Sequence, residues 1–185
     1  MVCLLVFGFM LSWDMVNAGG FYVIPTKKCC TCKGTLVGTR WCDNGDGTVT
    51  DLLGYDGKGK CLVWLKDASW GEDYSFWVNT QEGTNAHDRA AELNHGVGGL
   101  SDGSVEGDWR LPTKIELYGL ANGTEAVRWD EMRAFTGVEN YDYWSSSTVA
   151  GDPSYAWSVY MYNGVAYNGY AKSIPYYVWP VRGGN

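Results

Sequence analysis

Between Tyr141 and Arg182 aromatic side chains crowd together while charge nearly vanishes: there is no Glu or Gln, and the one Lys is Lys172. A stretch so aromatic and so weakly charged must either fill a core or serve as a contact surface. Alternation assigns both jobs. From Ala156 the chain reads Ala-Trp-Ser-Val-Tyr-Met-Tyr, and a period of two puts Trp157, Val159 and Met161 on an apolar face and Ser158, Tyr160 and Tyr162 on the other. Asn163-Gly164 predicts a two-residue hairpin turn, since both residues accept positive φ, with a return strand through Val165 and Tyr167. Stiff amphipathic tyrosines beside Ser, Gly and Asn are the composition of a paratope.

A chain of 185 residues, 45% hydrophobic and with ten Trp, predicts one well-filled core and one folded unit. Its net charge of −7 and its lack of any basic run beyond Lys27-Lys28 argue against nucleic-acid partners and anionic membrane surfaces. Met1 to Trp13 is apolar, and Val16-Asn17-Ala18 before Gly19-Gly20 resembles a signal-peptidase site, which predicts export with cleavage after Ala18. The expected division is a signal peptide over 1–18, a cysteine-containing segment over 19–39 and a ligand-binding domain over 40–185. Cys29, Cys30, Cys32, Cys42 and Cys61 then predict two disulfides and one remaining thiol, with the pairing left open. A four-Cys zinc site is the alternative, but Cys42 and Cys61 lack a second C-x-x-C.

Phe21–Pro25 is expected to be a short strand and 27–39 a cysteine-stapled loop. Asp43-Asn44-Gly45-Asp46-Gly47-Thr48 alternates oxygens with glycines but lacks the ligand pattern of a calcium loop, so a tight turn between strands is expected. Cys61 to Leu65 reads as a buried strand. Asn85 is a helix N-cap, and Thr113 with Glu116 forms a capping box for a second helix that stops at Asn122-Gly123. A short third helix is expected around 126–135.

Asp43 to Asp51, Leu62-Val63-Trp64-Leu65, Asp108-Trp109-Arg110-Leu111-Pro112-Thr113 with Glu116-Leu117, Tyr143-Trp144-Ser145-Ser146-Ser147 and Pro180-Val181-Arg182-Gly183-Gly184 follow one another in an order that resembles the Legionella collagen-like protein C-terminal domain family. That resemblance implies an α+β, C-type-lectin-like fold of the formylglycine-generating-enzyme-like subgroup, with small antiparallel sheets, two or three short helices and long loops. It also implies that Trp144, Trp157 and Trp179 belong to the scaffold, and that Arg182 serves buried carbonyls or an acid near the closing strand. Some members resemble variable proteins of diversity-generating retroelements, whose C-terminal segment is rewritten at adenines over a fixed scaffold. The outward set expected here is Asp142, Tyr143, Ser158, Tyr160, Tyr162, Asn163, Tyr167, Asn168 and Tyr170, with Lys172 as a fixed position.

Catalysis is not expected. No Cys follows Cys61, so the cysteine chemistry of formylglycine-generating enzymes has no counterpart. His87 and His95 stand eight apart without a third ligand, and Ser145-Ser146-Ser147 lacks the glycines of a nucleophile elbow. No metal site or cofactor is expected. The expected partner is a protein or glycan ligand on another cell or surface. Calcium-independent carbohydrate binding and a structural oligomeric surface domain are the alternatives.

Overall fold

The computed structural model describes residues 30–54, 61–70, 75–77, 85–121 and 132–183. The expected signal peptide, the Phe21–Pro25 strand and Cys29 lie outside them. Among the described residues there are three antiparallel sheets and two short helices. The first sheet runs in the order β1 (Thr35–Val37), β2 (Trp41–Asp43), β3 (Thr48–Asp51), β4 (Val63–Leu65), β10 (Val181–Arg182). The end of the chain thus returns to pair with β4, at Val181↔Trp64. β5 (Ser75–Phe76) pairs with β9 (Pro175–Tyr176), and the third sheet is β6 (Asp142–Val149), β7 (Asp152–Tyr160), β8 (Val165–Ala171).

Cysteines fasten the start of this sheet. Cys30 bonds Cys61 and Cys32 bonds Cys42, so the two expected disulfides form. The expected loop over 27–39 differs in one respect: Thr35–Val37 joins the sheet as an edge strand on β2. The Asp43–Thr48 segment is the expected turn. Asp46 accepts hydrogen bonds from the Thr48 amide and hydroxyl, Asp43 accepts from the Gly45 amide and from Lys66, and Asn44 donates to Thr48 and Thr50. Gly47 must have positive φ, and a Cβ there would lie 2.7 Å from the Gly99 carbonyl oxygen.

Helix α1 (Ala86–Ala91) starts at Asn85, whose side chain accepts from the His87 and Asp88 amides. Helix α2 (Lys114–Ala121) has the predicted capping box: the Glu116 amide donates to Thr113 Oγ1 and the Thr113 amide to Glu116. Of the expected third helix only a 3-10 turn at Met132–Ala134 is described, residues 126–131 lying outside the described set.

Indoles dominate the core. Trp41, Trp64, Trp109 and Trp179 are at most 1% exposed and join Val49, Leu62, Leu65, Leu117, Leu120, Tyr143, Val159 and Met161 in one cluster. Phe135 packs edge-on against both Trp41 and Trp179 at about 5 Å, a favourable quadrupole arrangement. Arg40 and Asp51 are buried together as a bidentate pair at 3.0 and 2.7 Å, and Arg40 also donates to the Gly119 carbonyl, tying β2 and β3 to α2. Arg182 meets the acid the family resemblance implied: it lies 3.0 Å from Asp102, off the hydrogen-bonding axis.

Candidate ligand-binding face

The β6–β7–β8 sheet has two chemically distinct faces. Pairing of Tyr143 with Val159 and of Val159 with Ala166 directs these residues, with Met161, into the main core. The register pairs Asp142 with Tyr160, Trp144 with Ser158, Ser158 with Tyr167, and Ala156 with Tyr170 on the opposite face. A second cluster covers part of that face: Trp144, Ala156, Tyr176 and Val178 pack with Leu111, Ala86 and Ala90, flanked by Trp77 and Tyr170. Indole nitrogens lock it in place, Trp144 donating to the Ser75 carbonyl and Trp77 to the Ser145 carbonyl.

The remainder of the face is tyrosine. Tyr162 is 51% exposed and Tyr167 36%, with Tyr160 and Tyr170 half-buried behind them. Their rings form linked pairs: Tyr160 with Tyr162 at 5.9 Å, Tyr167 with Tyr170 at 6.1 Å, and Tyr170 with Tyr176 at 4.9 Å. The hairpin turn is longer than the two residues expected. Met161 to Gly164 form it, with the Gly164 amide bonded to the Tyr160 carbonyl and Gly164 at φ +69°. Tyr162 and Asn163 therefore sit at the turn tip. Asn163 accepts from the Val165 amide and donates to Tyr167 Oη at 3.3 Å. Asn168 is exposed, within the two residues of β8 that bulge between the Ser158 and Ala156 pairings.

Three of the nine expected outward residues are buried: Tyr143 turns into the core, while Ser158 and Asp142 stay on the tyrosine face but are covered. Tyr143 is fully buried, its ring stacked on Tyr177 at 5.3 Å and its hydroxyl accepting from the Glu139 amide. Burial pushes its phenol well above the ordinary range. The cause is the period-two rule itself: Asp142 and Tyr143 are adjacent on β6, so one had to face the core. Ser158 is fully buried on the tyrosine face, beneath the second cluster, and donates 2.8 Å to Asp142. Asp142 lies alongside it, 7% exposed. Burial raises its carboxyl pKa, and the Ser158 bond offsets only part of the rise.

Trp157 also departs from the expected apolar wall. It is half-buried, its ring lying under the Lys114 ammonium at 3.1 Å. The three serines lie within β6, where it bulges, and their hydroxyls tie it to neighbouring backbone: Ser145 donates to the Trp157 carbonyl, Ser146 to the Pro112 carbonyl, and Ser147 accepts from the Lys114 amide. Lys172 donates to Thr148 and stands 3.8 Å over Trp77, where burial lowers its pKa.

Two further rings belong to this region and were absent from the sequence-based set. Tyr141, 44% exposed, lies 6.1 Å from Tyr176. Tyr176 packs edge-on against Tyr170 at 4.9 Å and has its phenol pKa raised, first by burial and then by the charge of Asp142. Their membership depends on β9 being carried beside β6, which no local period encodes. On the other side of the hairpin, Lys114, Tyr118, Ala121, Asn163, Gly164, Val165 and Ala166 line a cleft of about 570 Å³.

The histidines occupy separate settings. His87 is packed edge-on against Trp77 at 4.5 Å, and burial lowers its pKa; His95 accepts from the Gly103 amide. Among the described residues, no three His, Cys, Asp or Glu side chains converge as metal ligands.

Together these features define a disulfide-stapled α+β domain of mostly antiparallel sheets, built around buried indoles and bearing a tyrosine-covered sheet face. Residues 47–182 match the Lcl C-terminal domain family, and the chain belongs to that family, as its motifs implied. Comparison with curated proteins gives no match. The family and the disulfides fit an extracellular or surface location.

Proposed function

We propose that this is a non-catalytic, secreted or surface-displayed ligand-binding domain of C-type-lectin-like fold, which contacts a protein or glycan through its tyrosine face. The observation that carries this reading is the division of the β6–β7–β8 sheet. Tyr143, Val159 and Met161 anchor one side in the core, while Tyr160, Tyr162, Tyr167 and Tyr170 lie together on the other. Large rings with few rotamers, on a rigid sheet beside a polar turn, supply contact area at low entropic cost. Such a face can change its side chains without disturbing the scaffold, which is what retroelement diversification would require.

Glycan and protein arrays probed with the full chain test the binding reading. Replacing Tyr160, Tyr162 and Tyr167 together with Ser should remove the signal and leave thermal stability nearly unchanged. A near-identical template repeat differing at adenines, beside a reverse-transcriptase gene, tests diversification separately. The Lys114–Asn163 cleft favours a second reading, calcium-independent carbohydrate binding between α2 and the hairpin. Tyr118→Ala would then weaken glycan signals more than the triple Ser variant does.

A further inference from the structure

Asp142 is a nearly buried carboxylate whose side-chain hydrogen bond comes from a neutral hydroxyl: Ser158 Oγ donates to Oδ1 at 2.8 Å. Among the described residues it has no ion pair, although a buried carboxylate ordinarily has a cationic partner. The chain as a whole is acidic, at −7. Near this carboxylate three rings cluster, Tyr141 and Tyr170 each within about 6 Å of Tyr176, and after burial the charge of Asp142 is the next cause that raises the phenol pKa of Tyr170 and Tyr176. Tyr141 is exposed and Tyr170 half-buried, so the approach to this group is from the same side as the tyrosine face.

We propose that Asp142, with Tyr141, Tyr170 and Tyr176, is the receiving site for a lysine ammonium presented by a partner protein; this rests on the tyrosine face being the contact surface. The donor and acceptor inventory selects the chemistry. Ser158 occupies one carboxylate oxygen, which leaves a single charged acceptor and spoils the two-oxygen fork that a guanidinium prefers. A compact ammonium with three N–H donors can use one carboxylate oxygen and neighbouring phenol oxygens. A quaternary ammonium has no N–H to give them. The rings provide an aromatic wall for the aliphatic stem and the positive head. The tyrosine rows beyond, from Tyr160 to Tyr167, extend the contact over an area suited to a protein rather than to an isolated amino sugar. Burial raises the Asp142 carboxyl pKa in the unbound protein, and an arriving ammonium relieves that cost of holding the group ionised away from water.

The test uses the full chain, isotope-labelled, titrated with Nα-acetyl-lysine methylamide and followed by amide NMR shifts. A lone ammonium site should give saturable shifts with a Kd on the order of 1 mM, centred on Asp142, Ser158, Tyr170 and Tyr176. The norleucine analogue, which keeps the stem and lacks the charge, should bind at least about tenfold more weakly. So should the Asp142→Asn variant, which preserves the shape and an acceptor for Ser158. Absence of saturable shifts at these residues overturns the proposal without requiring any variant to fold. Equal response to the arginine analogue or to tetramethylammonium overturns the N–H account, and equal response to glucosamine overturns the choice of a protein partner. The triple Tyr160, Tyr162, Tyr167 to Ser variant separates the two levels. It leaves the Asp142 site in place, so it should still bind the lysine probe while losing array ligands. If it loses array ligands while no lysine shifts appear in the parent chain, the face reading stands and the lysine site falls.

Discussion

Tyr143 on β6 and Tyr162 at the β7–β8 turn differ in what their removal should cost. Tyr143 is fully buried, stacked on Tyr177 at 5.3 Å, 5.4 Å from Trp179, and accepts the Glu139 amide at 2.9 Å. Truncation to Ala removes an entire core ring, so the loss is about 3–5 kcal/mol. Tyr143→Phe keeps the ring and removes one hydrogen bond whose partner amide can turn to water, so it should cost about 1 kcal/mol. Tyr162→Ala, at a half-exposed turn tip, should stay within about 0.5 kcal/mol. Against a typical domain stability of about 5–15 kcal/mol, the first variant is severe and the last is nearly silent. Urea denaturation with the disulfides intact, followed by Trp fluorescence, reads all three. If Tyr143→Ala costs under about 1 kcal/mol, the assignment of sheet faces is wrong.

Other contacts give further expectations. Arg40→Met leaves Asp51 buried without its counter-ion and should destabilise by about 3–5 kcal/mol in the same denaturation assay. Trp157→Ala should cost about 2 kcal/mol, roughly half the value for a fully buried indole, because the ring is half-exposed and covered by Lys114. For Glu116, burial would raise the carboxyl pKa, but hydrogen bonds from Arg110 and the Thr113 amide outweigh it and hold the pKa below the ordinary range. Its stabilising effect is therefore present above the unfolded-state value of about 4.3 and fades as pH falls through the folded-state value. The stability gap between the parent chain and Glu116→Ala, about 1 kcal/mol at neutral pH in urea denaturation, should close in acid.

Local chemistry made much of this fold legible. Asn85 and the Thr113–Glu116 box marked both helix starts because a cap is a short-range hydrogen bond between residues two or three apart. The Asp43–Thr48 turn was legible for the same reason. Trp144 and Trp179 were recognisable as scaffold from the family resemblance, and both are fully buried. What escaped depends on long-range placement. Alternation states that Asp142 and Tyr143 face opposite ways, but only the packing of β6 against Trp179 and Tyr177 decides which one enters the core. The burial of Ser158 follows from the second cluster, which draws on Leu111, Ala86 and Tyr176 from three distant segments. Trp157 fits the period of the apolar wall yet ends half-exposed, because the Lys114 stem and ammonium cover it in place of another element.

The most direct test of the central claim compares the parent chain with the Tyr160→Ser/Tyr162→Ser/Tyr167→Ser variant on the same protein and glycan arrays, with melting curves recorded in parallel. The account predicts that ligand signals seen with the parent vanish in the variant while Tm falls by no more than a few degrees. Retention of those signals by a well-folded variant would contradict it, and so would collapse of the variant's stability, which would show that the rings are part of the core.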